Sequence, residues 1–136
     1  MDGADAVNYI LQNNIEGVII ECGVESGNFE HICINELMRN NCVRDIYLYD
    51  TFSGLVEPSE YDYTCKDAKL YQMSKDEVYN VWKSQKINEK VNAWCYMSLE
   101  NVQQRLNSTG YNQNNLHYIV GDVMETLKDT TAIPEK

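Results

Sequence analysis

Two short apolar segments, residues 18–22 and 45–49, are each followed by a turn that contains a carboxylate, and a stretch of helical periodicity separates them. Both segments are rich in β-branched or aromatic residues, which is typical of strands buried in a parallel sheet. The stretch between them runs from residue 28 to about residue 39. Its apolar positions at helical spacing are Phe29, Ile32, Cys33 and Leu37. This order of strand, helix and strand predicts a parallel βαβ unit.

Two more helices and a third strand are predicted outside this unit. Residues 4–13 carry apolar side chains at helical spacing. Ser98 is a candidate N-cap for a later helix, which Gly110 would end. Residues 116–120 form an apolar run that stops at Gly121, so a third strand is predicted there. The fold class that follows is α/β, a parallel sheet with flanking helices.

The segment that follows the second strand differs in composition. Residues 56–96 are rich in Tyr, Lys, Asp and Glu without strand alternation, which predicts an insertion within one domain spanning residues 1–136. Ser74 and Glu77 have the spacing of a capping box, which predicts one helix there. The aromatic side chains of the insertion would either line an acceptor pocket or, as the favoured interpretation, simply pack. They are Tyr61, Tyr63, Tyr71, Tyr79 and Trp82.

Charge and cysteine usage exclude several classes of function. Lys and Arg number 11 against 21 Asp and Glu, a formal net charge of -10. Such an acidic surface repels phosphate backbones and anionic lipid, so neither nucleic acid nor a membrane is predicted as a partner. No transmembrane segment or secretory signal is predicted. The five cysteines are scattered without a C-x-x-C pair, which favours the reducing cytoplasm over a disulfide framework or a zinc site.

The segment from Glu21 to Gly27 follows the first strand and precedes the first crossover helix. It is therefore predicted to lie at the carboxyl edge of the sheet, where open α/β sheets bind ligands. Gly23 permits a sharp turn, and Gly27 permits a close approach to the helix start. The spacing is G-x-x-x-G rather than the G-x-G-x-x-G of dinucleotide folds, and Glu21 and Glu25 flank the glycines. The acids favour a cationic or zwitterionic ligand over a phosphate, and a plain turn with solvated acids is the alternative.

Aspartates follow the other two strands. Asp50 has the spacing expected of an acid that accepts the hydroxyls of a ribose, with a turn residue or N-cap as the alternative. Asp122, after Gly121, would either receive the amino group of an adenine or cap the next helix, and the two interpretations are evenly matched. Acids after three successive strands match a nucleoside joined to a charged amino acid without phosphates. S-adenosylmethionine fits that description.

At these residues the chain resembles a known family. The segments EGVIIECGVESGNF, IYLYDTFSGL, SLENVQQRLNSTGY and LHYIVGDVMETL are similar to the macrocin O-methyltransferase family. Its members are class I S-adenosylmethionine-dependent enzymes that methylate sugar hydroxyls of macrolides and related compounds. The resemblance implies a Rossmann-like class I methyltransferase fold and S-adenosylmethionine as the cofactor. The cofactor-binding residues that it implies are Glu21, Gly23, Gly27, Asp50, Thr51, Gly121 and Asp122.

The resemblance also assigns parts of the cofactor to these residues. The loop around Gly23 would hold the methionine end, Asp50 the ribose hydroxyls with Thr51 beside it, and Asp122 would lie near the adenine. The chain departs from the family at Val56, where proline is usual, so the loop over the cofactor is expected to differ.

A second departure concerns the end of the sequence. The family's next strand, with the magnesium-binding acids and the catalytic base, would begin near Lys136, so a fold truncated after the third strand is expected. The catalytic residues are then unknown, no metal ligand is predicted, and magnesium belongs to the complete family enzyme only. An exposed edge of the first strand invites pairing, which predicts a homodimer or a complementing chain at that edge.

The main functional hypothesis is an incomplete, cofactor-binding half of an O-methyltransferase that acts on a sugar or another small hydroxylated metabolite. The alternative is a non-catalytic methyltransferase-like domain that assembles through the sheet edge. A nicotinamide-dependent dehydrogenase is the weakest hypothesis, because the phosphate-binding glycine spacing is missing.

Overall fold

A computed structural model describes residues 2–59, 62, 74–129 and 131 of the chain. The helices in these residues are α1 (Gly3–Gln12), α2 (Asn28–Arg39), α3 (Lys75–Ser84), α4 (Leu99–Asn107), a 3-10 turn (Gln113–Asn115) and α5 (Val123–Thr126). The strands are β1 (Ile19–Cys22), β2 (Ile46–Asp50) and β3 (Leu116–Val120). None of the described helices combines the length and apolar character that a bilayer crossing requires.

The chain divides into two compact units. The first, here called the sheet unit, comprises Met1–Phe52 and Met97–Lys136, and the second, here called the α3 unit, comprises Ser53–Tyr96. The sheet unit holds a parallel three-stranded sheet in the order β1-β2-β3. The α/β class with a parallel sheet and flanking helices is therefore confirmed. Among the described residues β1 pairs with β2 alone, which makes β1 an edge strand.

The central strand β2 organises the core of the sheet unit, because the four side chains from Ile46 to Tyr49 are all buried. Ile46 and Leu48 join helix residues in one apolar cluster. The helix and loop residues of this cluster include Val7, Val24, Cys33, Ile34, Leu37, Val102 and Leu106. Each such side chain contributes about 1.5–3 kcal/mol when it leaves water, so the cluster fixes α2 and α4 on the sheet.

The buried face of α2 includes only part of its apolar periodicity. Cys33 and Leu37 are buried, whereas Phe29 and Ile32 are 40% and 42% exposed. Glu30 and Ile34 are buried beside Cys33, and positions 30, 33 and 34 also follow helical spacing. The buried face therefore contains an acidic side chain, although Glu is usually solvated.

Two hydrogen bonds join the Tyr111 side chain to the backbone of Arg44 at the amino edge of the sheet. The Tyr111 hydroxyl donates to the Arg44 carbonyl oxygen at 2.7 Å and accepts from the Arg44 N–H at 2.7 Å. Nearby, the His117 imidazole lies 2.8 Å from an Asp45 carboxylate oxygen, which lowers the pKa of Asp45, and it stacks on Tyr47. His117 thus has the structural role usual for an isolated histidine, at the edge opposite the glycine loop.

The α3 unit contains the predicted capping box. The Ser74 hydroxyl accepts from the Glu77 N–H, and the Glu77 carboxylate accepts from the Ser74 N–H, so this prediction is confirmed. The Trp82 indole N–H donates to the Leu55 carbonyl oxygen at 2.8 Å. Tyr61, Tyr63 and Tyr71 of the predicted aromatic group lie outside the described residues.

A glycine is required in the turn that opens the α3 unit. Gly54 has a φ of 84°, and a Cβ there would lie 1.9 Å from the Asn92 carbonyl oxygen. The neighbouring backbone explains this approach, because the Asn92 N–H donates to the Ser53 carbonyl oxygen at 2.9 Å and the Leu55 N–H to the Trp94 carbonyl oxygen at 2.9 Å.

Candidate functional site

The loop between β1 and α2 turns through three residues with positive φ, namely Gly23 at 91°, Glu25 at 50° and Gly27 at 72°. A Cβ on Gly23 would meet no atom within 4 Å, so the space beside this residue is open. A Cβ on Gly27 would lie 3.2 Å from Cγ1 of Val102. Gly27 therefore allows the start of α2 to pack against α4, whereas Gly23 leaves room at the carboxyl edge.

Asp50 holds this loop in place from the end of β2. Its Oδ2 accepts hydrogen bonds from the N–H groups of Val24 at 2.7 Å and Glu25 at 3.0 Å, and its Oδ1 accepts from the Phe52 N–H at 2.7 Å. The contact with Phe52 agrees with the alternative interpretation of Asp50 as a turn residue. A carboxylate has about four acceptor positions, so Asp50 retains capacity for another donor such as a hydroxyl.

Two further carboxyl groups lie behind the loop. Glu30, in the first turn of α2, is 1% exposed, and neither of its carboxyl oxygens has a hydrogen-bond partner among the described residues. The Oε2 atom of Glu21 on β1 is also buried without a partner among them. Burial, and next the adjacent Glu21 carboxyl, raise the pKa of Glu30 to about 9. Glu30 is consequently protonated and neutral near pH 7.

Among the described residues, the charges that raise the pKa of Glu30 are those of Glu21 and Asp50, and both are acidic. Burial, followed by the charge of Glu30, raises the pKa of Tyr118 to about 12, and its buried hydroxyl has no hydrogen-bond partner among the described residues. Burial, followed by the charge of Glu21, raises the pKa of the Cys33 thiol to about 12. Both groups are therefore neutral, and the region is poorly solvated.

The end of β3 completes this edge. The Gly121 N–H donates to the Asp50 carbonyl oxygen at 3.0 Å, while the Gly23 N–H donates to the Tyr49 carbonyl oxygen at 2.8 Å. Oδ1 of Asp122 accepts from the Met124 N–H at 2.8 Å, so Asp122 caps α5, as the alternative interpretation held.

The structure places the seven sequence-predicted residues at the carboxyl ends of the three strands and in the turns that follow. Backbone hydrogen bonds join Gly23 to Tyr49 and Gly121 to Asp50, and Thr51 is half-buried next to Asp50. Gly27 and Asp122 have packing and capping roles at the same edge. Sequence analysis missed Glu30, and its signal was the helical spacing that it shares with Cys33 and Ile34.

Two other features of the described residues are weaker candidates for a functional site than the carboxyl edge of the sheet. No group of three or more His, Cys, Asp or Glu side chains in the described part of the chain is arranged to hold a metal ion. A groove of about 580 Å³ lies at the amino edge of the sheet beside Glu16 and Arg44, and no predicted site residue lines it. We place the candidate site at the carboxyl edge, because α/β sheets bind ligands where their connections diverge.

Comparison with known proteins gives a family match and matches to solved structures. The profile of the family described as Macrocin-O-methyltransferase (TylF) matches residues 2–133. The structure of the O-methyltransferase NovP is similar to this chain with a TM-score of 0.68 and 19% sequence identity. The similarity covers 94% of this chain and 46% of that one, so this chain spans about half of that length. It confirms the methyltransferase fold predicted from the sequence. No curated protein matches the chain.

Proposed function

Since the chain belongs to the macrocin-O-methyltransferase family, we propose that it binds S-adenosylmethionine at the carboxyl edge of its sheet. The observation that carries this proposal is that the open turn at Gly23 and the carboxyl groups of Glu21 and Asp50 lie together at that edge. S-adenosylmethionine carries cationic sulfonium and ammonium groups and no phosphate. An acidic edge with an open glycine suits such a ligand better than it suits a dinucleotide.

Each proposed contact has support in the observed geometry. The open space at Gly23 would admit the methionine end, and the negative charge of the half-buried Glu21, two residues earlier, would attract its ammonium group. Asp50 would accept the ribose hydroxyls with its remaining acceptor positions, with Thr51 beside it. Gly121 and Asp122 would lie near the adenine, where the exposed side chain of Met124 offers an apolar surface.

S-adenosylmethionine supplies a methyl group bound to a positively charged sulfur. The residues of this chain would bind and orient that group, and orientation alone can supply several kcal/mol of a barrier reduction, about 7–11 in the best cases. We further propose an O-methyltransferase activity with a sugar or another small hydroxylated metabolite as acceptor. We propose a magnesium ion for the complete family enzyme only. No group of three or more His, Cys, Asp or Glu in the described residues is arranged to hold a metal ion.

The proposed assembly and location rest on separate observations. Pairing of β1 with a second copy or a complementing chain is supported by the edge of β1 that no other described strand pairs with, and by the exposed side chains of Ile20 and Cys22. We also propose a cytoplasmic location, because the five cysteines are scattered along the sequence without a C-x-x-C pair.

The decisive experiment is a calorimetric titration of S-adenosylhomocysteine into the 136-residue chain and its Asp50→Asn variant. We expect micromolar affinity for the unsubstituted chain and an affinity at least about tenfold weaker for the variant. In the variant an amide NH2 group would face the N–H groups of Val24 and Glu25, which now donate hydrogen bonds to Oδ2. Asp5→Asn, at an exposed position of α1, is the control and should leave the affinity unchanged. A folded chain that gives no heat would overturn the cofactor proposal and favour the non-catalytic assembly domain.

A further inference from the structure

We propose that Glu21 and Glu30 share one proton, and that the protonated Glu30 holds the Glu21 carboxylate in position for the cationic end of the cofactor. The positioning role rests on the cofactor binding proposed above, whereas the shared proton does not. Glu30 is a positioning residue in this proposal, because it lies behind the loop and acts through Glu21.

The first step is the pattern of buried oxygen atoms. Both carboxyl oxygens of Glu30 and Oε2 of Glu21 are buried without a hydrogen-bond partner among the described residues. If both side chains were ionised, two adjacent negative charges would lie in an apolar region with their acceptor positions unmet, which is strongly unfavourable. A single proton removes this conflict, because one carboxyl becomes a donor and the other its acceptor. Such an O–H···O⁻ hydrogen bond is among the strong ones in proteins.

The second step is the location of the proton. Glu30 is buried, whereas Glu21 is half-buried on the edge strand at the start of the loop, so desolvation favours the neutral form of Glu30. In the part of the chain that the structure describes, the titratable groups that interact electrostatically with Glu30 are all acidic or neutral. They are Glu21 from β1, Asp50 from β2, the Tyr118 hydroxyl from β3 and the Cys33 thiol from α2 itself.

The third step connects the pair with the ligand edge. One shared proton leaves a single negative charge, and it lies on Glu21, two residues before Gly23. An O–H group of Glu30 donating from behind would limit the rotation of the Glu21 carboxylate. The arrangement corresponds to the way that residues behind a metal ligand fix its orientation and charge.

The pair also makes stability depend on pH. The pKa of Glu30 rises from its ordinary value of 4.5 to about 9 in the folded chain. Between these values the folded chain binds more protons than the unfolded chain, so unfolding releases a proton. The stability that this group contributes is therefore fully present below pH 4.5 and is lost as the pH rises through about 9.

The test compares Glu30→Gln, which keeps a neutral donor of similar shape, with Glu30→Met, which has no donor. The affinity for S-adenosylhomocysteine is measured by calorimetry near pH 7 and near pH 9, and the free energy of unfolding by denaturant titration over the same range. Near pH 7 we expect Glu30→Gln to bind within about twofold of the wild type and Glu30→Met about tenfold more weakly. Glu16→Gln, at an exposed position, should behave as the wild type.

The pH profiles distinguish positioning from a merely structural role. Relative to Glu30→Gln, the wild type should lose both affinity and stability between pH 7 and pH 9, and titration of the ligand's own ammonium group cancels in this comparison. Equal affinities for the Gln and Met variants would overturn the positioning role. Parallel unfolding profiles for the wild type and Glu30→Gln would overturn the shared proton. If even the wild type does not bind, the cofactor proposal and the positioning role fail together, and the unfolding profiles still decide on the proton.

Discussion

Glu30 in the sheet unit and Asn92 in the α3 unit are both buried polar residues, 1% and 3% exposed, but their surroundings differ. The Asn92 side chain donates to the Trp82 carbonyl oxygen at 2.7 Å and accepts from the Trp94 N–H at 2.8 Å. Glu30 has no such partner among the described residues. A satisfied buried amide stabilises one local structure, whereas an unsatisfied buried carboxyl makes the local structure depend on a proton. We infer that Asn92 stabilises the fold of the α3 unit, whereas Glu30 acts on the proposed ligand-binding edge.

The largest expected effect tests the α3 unit, where Gly54→Ala places a Cβ against the carbonyl of Asn92. We expect the free energy of unfolding to fall by about 3 kcal/mol or more, because backbone rather than a flexible side chain must move. Denaturant unfolding followed by tryptophan fluorescence checks this, since Trp82 and Trp94 both lie in the α3 unit. Gly110→Ala is the control, because Gly110 has a similar φ of 80° but its Cβ would meet no atom within 4 Å. Its unfolding is followed by circular dichroism, since Gly110 lies in the sheet unit. Similar losses in the two variants would show that φ alone, not the contact with Asn92, sets the requirement.

The next effect comes from Asn92→Leu, which removes both side-chain hydrogen bonds of Asn92 and leaves their backbone partners without them. We expect the free energy of unfolding to fall by about 2–3 kcal/mol, the usual result of unsatisfied buried groups. The same fluorescence measurement applies, and the loss should not vary between pH 5 and pH 9, because no ionisable group changes. If the free energy of unfolding changed by less than about 0.5 kcal/mol, the hydrogen bonds of Asn92 would not stabilise the fold, and Asn92 would no longer differ from Glu30 in this respect.

The smallest expected effect has the opposite sign. Glu30→Met also puts an apolar side chain in place of a buried polar one. Between about pH 4.5 and pH 9, however, the carboxyl group that it removes is protonated in the folded chain and ionised in the unfolded chain. At about pH 8.5 we expect the free energy of unfolding to rise by about 1 kcal/mol, and the difference should shrink towards pH 5. A loss of stability across this whole range would mean that Glu30 is satisfied in solution, as Asn92 is.

Sequence analysis succeeded where the deciding interactions are local. The capping box of Ser74 and Glu77 and the N-cap of Ser98 involve residues three apart, and both form. The strands were found for a similar reason, because short apolar runs that stop at Gly23 and Gly121 have few other uses in an α/β chain.

Analysis of the sequence failed where the deciding partner is distant in the chain. Asp50 accepts hydrogen bonds from Val24 and Glu25, about 25 residues earlier, and no local pattern marks such a contact. Glu30 was missed because a buried acid contradicts the general preference of its residue type. Such exceptions to a local rule concentrate at functional sites, so a Glu at a core position of a helix is itself a useful signal.

The carbonyl groups of Tyr49 and Asp50 accept from the N–H groups of Gly23 and Gly121 respectively. Both glycine turns are therefore hydrogen-bonded to consecutive residues of a single strand, and β2 fixes the position of each turn. A shift of β2 along its axis would carry both turns by the same amount and preserve the gap between them. The span available to a ligand is in this way set by one backbone segment, and loops elsewhere can vary without changing it.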